Sequence, residues 1–122
     1  MHSLEPVPEE KGSQLSNPHL LRVETVKVTH YLLCSDHPKG GGKAKFFESV
    51  GFSKENVTEF VAALRSHVAK NQIAEVVPHP YGVKTVIDCF MPTPSGREYC
   101  IRSVWNDHLD GAPPKLITAH PL

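Results

Sequence analysis

The chain has 122 residues, which suits a single domain, because a second hydrophobic core would need more apolar material. Lysine and arginine together number 13, as do aspartate and glutamate, so the formal net charge near neutral pH is zero. This balance excludes attraction to nucleic acid or anionic lipid through overall charge, and any anion site must be local.

The start of the chain differs in composition from the rest. Residues 1–16 are rich in proline, glutamate, serine and glycine, and we expect a flexible tail there, followed by a single domain at residues 17–122. The start lacks the cationic and apolar regions of a signal peptide, and no apolar run is long enough for a membrane span. Three cysteines without a CxxC pair argue against a disulfide framework and a tetrahedral zinc site. These features favour a protein of the reducing cytoplasm with no membrane partner.

The first half of the chain predicts helices. The mixed segment at residues 19–28 fits a short strand or the approach to a helical turn at residues 29–33. Three glycines then break regular structure, and KAKFFESVGF has a helical pattern that ends at Gly51. Ser53 is typical of a helix N-cap and opens a long helix over residues 54–70, whose apolar positions repeat at helical spacing.

After Asn71 the apolar spacing changes to that of strands. The segments IAEVV, VKTVIDCFM, REYCIRSVW and KLITAHP are separated by turns and loops such as PHPYG and PTPSG. Short connections favour antiparallel neighbours, so the sequence predicts an α+β fold in which N-terminal helices precede a four-stranded antiparallel meander packed on the long helix. We expect Val86, Ile101 and Val104 to face that helix and share its core.

The segment around the three consecutive glycines carries the strongest chemical signal. A glycine run before a helix exposes backbone N–H groups to an anion, and neighbouring lysines add charge. Gly41, Gly42 and Lys45 are therefore candidate substrate-binding residues, and His37 and Lys43 are candidate catalytic residues. Because GGGKAK lacks the spacing of a Walker P-loop, a flexible turn flanked by solvated lysines is the alternative.

Residues of the predicted sheet complete the candidate site. Arg102 is a catalytic candidate because it can hold a phosphate through two hydrogen bonds, with an exposed sheet arginine as the alternative. Trp105 is a candidate for base stacking or a core residue, and Tyr81, in the first hairpin turn, is a further candidate for substrate binding. Thr118 offers a hydroxyl for catalysis near His120, a substrate-binding candidate beside a proline, although packing at the strand edge is the alternative.

The sequence predicts neither a metal nor a cofactor. The chain has eight histidines, but they form no HxH, HExxH or HxxxH pair that would place two ring nitrogens on one metal. The carboxylates are equally unclustered, which argues against a two-metal nuclease or a paired-carboxylate glycosidase. The chemistry that remains is that of histidine, lysine, arginine and hydroxyl groups.

Two long segments, YLLCSDHPKGGGKAKFFESVGFSKEN and IRSVWNDHLDGAPPKLITAHP, resemble a bacterial family of domains of unknown function, DUF6883. Its members read YLLNPxHPxGxxKAxFFxxxGF, then PYGxKYxVDG, and finally VRTVW and LVTAYP. The resemblance spans about residues 17–121. It departs at Cys34 and Ser35, where Asn-Pro is usual, and at His120, where an aromatic is commoner, which argues against a catalytic role for His120.

The resemblance implies a toxin component encoded beside a small partner. Its order of helices followed by a four-stranded antiparallel sheet is similar to that of the barnase, EndoU, colicin and RelE ribonuclease folds, which is a likeness at the level of the fold. The partners implied are an RNA substrate and a small antitoxin or immunity protein.

Two hypotheses follow from these residues. The first is a toxin-type, metal-independent endoribonuclease in which His37 or another imidazole shuttles protons, while Lys43 and Arg102 stabilise the charged transition state. The second is a non-catalytic protein- or nucleotide-binding module of a toxin–antitoxin or related system. The zero net charge favours the second, because RNA-binding surfaces are usually basic.

Overall fold

A computed structural model of the protein describes residues 10–39 and 41–122. The helical part comprises a 3₁₀ turn (Pro18–Leu20), helix α1 (Thr25–Lys27) continued by a π-helical turn (Val28–Leu32), helix α2 (Gly41–Ser49) and helix α3 (Val57–Lys70). The strands that follow are β1 (Ile73–His79), β2 (Gly82–Pro92), β3 (Glu98–Asp107) and β4 (Lys115–Pro121). The predicted α+β class, with helices before strands, is confirmed. Within the described ranges, no helix is long and apolar enough to cross a membrane.

Helix α3 starts later than the sequence predicts. Its N-cap is Asn56, whose side-chain oxygen accepts a hydrogen bond from the N–H of Glu59 at 3.3 Å. Ser53, the predicted cap, instead accepts the N–H of Glu55 in the preceding turn. One face of the helix is buried at helical spacing and packs on the sheet, with its buried side chains at Phe60, Ala63, Leu64, His67 and Val68.

The four strands form one antiparallel sheet in the order β1-β2-β3-β4, so the predicted meander is confirmed. Ile101 is completely buried in the core against the helices, as predicted. Val86 pairs with Val104 on the opposite face of the sheet, outside that core, and their predicted facing is therefore wrong. The reason is the two-residue period of a strand, in which a shift of one residue moves a side chain to the other face.

The N-terminal part of the described chain is attached to the sheet. The N–H of Gly12 donates to the carbonyl oxygen of Ile73 at 2.8 Å. The N–H of Ile73 donates to the carbonyl oxygen of Ser13, also at 2.8 Å. Leu15 is 4% exposed and belongs to the core. The predicted tail therefore includes residues that pack on the domain, and its remaining part, residues 1–9, lies outside the described residues. The exact domain boundary stays a prediction.

Two of the three cysteines form a disulfide, which corrects the expectation from their number and spacing. Cys89 of β2 is bonded to Cys100 of β3. Antiparallel pairing sets Phe90 opposite Cys100, so the neighbouring Cys89 is brought within reach. Spacing along the sequence does not report such cross-strand proximity. Cys34 is a free cysteine.

Gly82 brings the turn between β1 and β2 close to the end of β3. Its φ is +131°, a region that side chains rarely adopt. A Cβ at this position would lie 2.1 Å from the carbonyl oxygen of Asp107. Glycine is therefore required here, and the close approach fixes the position of Tyr81, the residue before it.

Candidate active site

Helix α2 carries Lys43 to the edge strand β4. Ala44 and Phe47 are completely buried and anchor the helix in the core. The Nζ of Lys43 donates to the hydroxyl oxygen of Tyr31 at 2.6 Å and to Oγ1 of Thr118 at 3.0 Å. These two oxygens are themselves 3.4 Å apart. The ammonium group of Lys43 on α2 thus joins the π-helical turn, through Tyr31, to β4, through Thr118. It uses two of its three N–H donors for these bonds.

The pKa of Tyr31 is lowered from its ordinary value of 10.0. Partial burial is the largest single influence and acts in the opposite direction, because it disfavours the charged phenolate. The hydrogen bonds of Lys43 and Thr118, with the positive charges of Lys43 and Lys27, outweigh it. The Nζ of Lys27 lies 5.4 Å from the centre of the Tyr31 ring. These contacts favour the phenolate, which is the form that can accept a proton.

Tyr31 and Thr118 line an open cleft of about 660 Å³, which we call the first cleft. The ring of His37 meets the Tyr31 ring edge-on, with the two centroids 4.9 Å apart. The backbone N–H of Lys39 donates to Nδ1 of His37 at 3.0 Å, and this bond assigns the ring proton to Nε2. Lys27 and Lys39 also line the cleft. The cleft therefore offers cationic groups to an anion.

The structure brings together three of the four predicted catalytic residues. Lys43 and Thr118 are joined by a hydrogen bond, and His37 reaches them through its contact with Tyr31. Arg102 lies elsewhere: its Nε and Nη2 donate to the two carboxylate oxygens of Asp88, each at 2.8 Å. Neither Arg102 nor Lys43 is among the described residues that line the first cleft, but Lys43 is bonded to two residues that do, Tyr31 and Thr118.

The ion pair of Arg102 joins β2 to β3. The hydrogen bond from Arg102 is the main reason that the pKa of Asp88 is below its ordinary value, although partial burial opposes it. His120 lies opposite Arg102 in the pairing of β3 with β4, and its Nδ1 donates to the carbonyl oxygen of Pro121 at 3.0 Å. His120 is thus placed beside Arg102.

The glycine-rich turn differs from the predicted phosphate cradle. The N–H of Gly41 donates to the carbonyl oxygen of His37 at 2.9 Å, so it is not directed at an anion. A Cβ at Gly41 would lie 2.6 Å from the carbonyl oxygen of Ser35, and this close approach requires glycine. Gly42 and Lys45 are exposed on α2 and are not among the described residues that line the first cleft. The first glycine of the run lies outside the described residues.

The two aromatic candidates for substrate binding have opposite surroundings. Trp105 is completely buried, and its Nε1 donates to Oγ of Ser103 at 2.8 Å. Its ring is covered by the core, which agrees with the core alternative for this residue and leaves no exposed face for a base to stack on. Tyr81 is 78% exposed at the tip of the β1–β2 hairpin. It lines a second cleft, of about 460 Å³, which shares Glu24, Lys27 and Ile117 with the first.

Sequence reasoning missed Tyr31 and Lys27. Tyr31 opens the motif that also contains His37 and Lys43, so the motif itself held the signal. An aromatic residue within an apolar YLL run is more typical of a core position, so the sequence alone does not single it out. Lys27 stands in the mixed segment whose secondary structure the sequence left open, so its facing could not be assigned.

The described residues contain no group of three or more histidine, cysteine, aspartate or glutamate side chains that could hold a metal ion. The candidate site is instead built from a lysine, a tyrosine, a threonine and a histidine. Each is held by at least one contact with another member or with the backbone of the cleft. Such a set can bind an anion and exchange protons with it.

Comparison with known proteins gives a family and a fold. No curated protein matches the chain. A contact-dependent growth inhibition toxin–immunity protein complex from Klebsiella pneumoniae 342 contains a chain with a similar fold, at a TM-score of 0.59 and 16% identity. The match covers 82% of this chain and 98% of that chain, and at this identity it shows the fold alone. Residues 14–122 match DUF6883, a domain of unknown function. The protein therefore belongs to the DUF6883 family.

Proposed function

We propose that the protein is a toxin-type, metal-independent endoribonuclease that cleaves RNA at the first cleft. The observation that carries the proposal is the bond of 2.6 Å from Lys43 Nζ to the hydroxyl of Tyr31, a residue that lines an open cleft together with Lys27 and Lys39. It joins a group that can accept a proton to a group that can donate one. Transfer of a phosphoryl group to the neighbouring ribose 2′-hydroxyl needs both.

In the proposed reaction, the Tyr31 phenolate takes the proton of the 2′-hydroxyl as that oxygen attacks the adjacent phosphorus. The bond from phosphorus to the 5′-oxygen breaks, and the Lys43 ammonium gives a proton to this leaving oxygen. The products are a 2′,3′-cyclic phosphate and a 5′-hydroxyl. Tyr31 then returns its proton to Lys43 through their hydrogen bond, which restores the starting state.

The surrounding residues hold the phosphate in this mechanism. His37 packs edge-on against the ring of Tyr31, and its Nδ1 accepts the N–H of Lys39. In this mechanism His37 positions the Tyr31 ring, which is a change from the proton shuttle that the sequence suggested. Lys27 and Lys39 add positive charge where charge develops in the transition state. Thr118 positions Lys43 through their bond of 3.0 Å.

Arg102 is assigned a supporting role. Its two hydrogen bonds to Asp88 use the Nε–Nη2 edge of the guanidinium, and Arg102 is not among the described residues that line the first cleft. We therefore propose that Arg102 holds β2 against β3, and that the positive charge at the reacting phosphate comes from lysines.

The biological setting is proposed by analogy. The structural neighbour is part of a toxin–immunity protein complex, and the family resemblance implies a toxin with a small partner. An antitoxin or immunity protein that covers the first cleft fits this proposal. The proposed site of action is the cytoplasm because RNA is found there, although the Cys89–Cys100 disulfide is of a kind that is rare in that compartment. The rival function is a non-catalytic binding module, and the zero net charge of the whole chain is the observation that favours it.

A cleavage assay with matched lysine variants tests the proposal. Purified protein is incubated with total cellular RNA in the presence of EDTA, and the ends of the products are identified by mass spectrometry. We expect 2′,3′-cyclic phosphate ends and a loss of about 10²–10³-fold in rate for Lys43→Met. Lys54→Met is the control, because Lys54 is an exposed lysine in the turn before α3. Intact RNA with wild-type protein, together with normal growth on expression, would favour the binding module.

A further inference from the structure

The second cleft is a built surface whose parts support one another. The N–H of Tyr81 donates to Nδ1 of His79 at 3.2 Å, so the proton of that ring lies on Nε2. Nε2 donates to Oδ1 of Asn106 at 2.6 Å. The amide group of Asn106 in turn donates to the ring of His108, at 3.1 Å from Nε2. This series of hydrogen bonds crosses from the β1–β2 turn to the end of β3.

The hydrogen bonds hold Tyr81 in place while leaving its ring exposed. Asn106 is 8% exposed and is satisfied on both sides of its amide, so it acts as a fixed anchor. Gly82 adds a second restraint, because it lets the turn approach the backbone of Asp107 closely. An aromatic ring that is 78% exposed and whose backbone is already ordered loses little conformational freedom when a ligand stacks on it.

Charge in the two clefts differs from that of the whole chain. The described residues that line them include one glutamate, Glu24, and four lysines, Lys27, Lys39, Lys84 and Lys115. Glu24 pairs with Lys115 at 3.0 Å, which leaves the other lysines in excess. The clefts adjoin through Glu24, Lys27 and Ile117. A locally basic groove therefore runs across both clefts of an otherwise neutral protein.

We propose that the second cleft is a nucleotide subsite of this groove, in which a base of single-stranded RNA stacks on Tyr81 and the adjoining phosphate binds Lys84. The proposal rests on the proposed function, because it adds a binding position next to the cleavage site. An exposed aromatic ring beside basic side chains suits single-stranded RNA, whose bases are free to stack. The substrate of the first cleft is accordingly an RNA of several nucleotides.

Binding is measured without cleavage, so that the two proposals can fail separately. The probe is a fluorescein-labelled uridine octamer with 2′-O-methyl groups, which removes the attacking hydroxyl. Fluorescence anisotropy is expected to show binding that weakens by about 5–100-fold in Tyr81→Ala. Tyr81→Phe keeps the ring and is expected to bind as the wild type does. Phe90→Ala is the control, since Phe90 is also exposed, at 56%, but is not among the described residues that line either cleft.

Salt dependence tests the role of Lys84. Removing one phosphate contact to a single strand lowers the slope of log K against log salt concentration by about 0.7, and we expect this change in Lys84→Ala. Octamer binding that depends on Tyr81, without any RNA cleavage, would support the subsite and contradict the ribonuclease. Cleavage of RNA with octamer binding unchanged in both Tyr81→Ala and Lys84→Ala would overturn the subsite alone. No octamer binding by the wild type would also overturn it.

Discussion

Replacement of Gly82 by alanine tests whether the β1–β2 turn rests against the end of β3. A Cβ at this position would lie 2.1 Å from the carbonyl oxygen of Asp107 and 3.0 Å from Cα of His108. Both are backbone atoms, which cannot rotate away as the end of a flexible side chain can. The substitution must therefore displace the turn or separate the strand ends, and it also places a side chain at a φ of +131°.

Two costs set the size of the effect. A side chain in a sparsely populated backbone region costs about 1–3 kcal/mol, and crowding against fixed neighbours costs about 1–3 kcal/mol more. Gly82→Ala is thus expected to lose about 2–6 kcal/mol of the free energy of unfolding. Gly96→Ala is the matched control, because Gly96 has a φ of +90° and no described atom lies within 4 Å of its added Cβ. Gly96→Ala should lose only the free energy that comes from the unfavourable backbone conformation, without the cost of crowding.

Urea denaturation of the two alanine variants measures the difference, because the backbone cost is largely common to both. A larger loss for Gly82→Ala by about 1–3 kcal/mol is the expected result. Equal losses would refute the close approach of the turn to β3. The fixed position of Tyr81, on which the nucleotide subsite depends, would then lose its support.

Three further outcomes are expected from the described contacts. In Lys43→Met the pKa of Tyr31 is expected to rise, because burial still disfavours the phenolate and the hydrogen bond from the ammonium group is gone. The absorbance of tyrosinate measured against pH records this pKa, and an unchanged titration would contradict the contact between Lys43 and Tyr31. Arg102→Ala costs about 0.5–1 kcal/mol at pH 7 by denaturation. The pKa of Asp88 in the folded protein is below its ordinary value of 3.8, so the loss of stability in Arg102→Ala is complete above pH 3.8 and disappears as the pH falls through the pKa of the folded state. A loss of stability that persists at pH 2 would contradict this ion pair. Deletion of residues 1–16 lowers the free energy of unfolding by about 2–3 kcal/mol because it removes a buried leucine, and an unchanged thermal melt would place the start of the domain after them.

The element order could be predicted from the sequence because apolar spacing reports the type of each element. Helix α3 and the four strands have clear periods, and their succession with short turns determines the meander. The facing of Val86 and Val104 could not be read in this way, because apolar residues occupy both faces of β2 and β3 near their centres. The disulfide also depends on cross-strand pairing, which the positions of Cys89 and Cys100 in the sequence do not reveal.

The candidate site was predicted in part. A single motif contains His37, which lines the first cleft, and Lys43, which is bonded to two lining residues, so this part of the site could be found from local sequence. Thr118 lies 75 residues from Lys43, and only the packing of α2 beside β4 joins them. The pairing of Arg102 with Asp88 follows from strand register, which places the two directly opposite each other. Residues that join the site through tertiary contacts therefore could not be identified from the sequence alone.

The most direct test of the account is the cleavage rate of Tyr31→Phe, measured in EDTA with saturating protein and an RNA that the wild type cleaves. The phenylalanine ring preserves packing and removes the one atom assigned as the proton acceptor. Tyr99→Phe is the control, because Tyr99 packs on Phe46 at 5.5 Å and its hydroxyl has no part in the first cleft. The account predicts a loss of about 10²–10⁴-fold for Tyr31→Phe and little change for Tyr99→Phe. Equal rates for wild type and Tyr31→Phe would contradict the assignment of the active site.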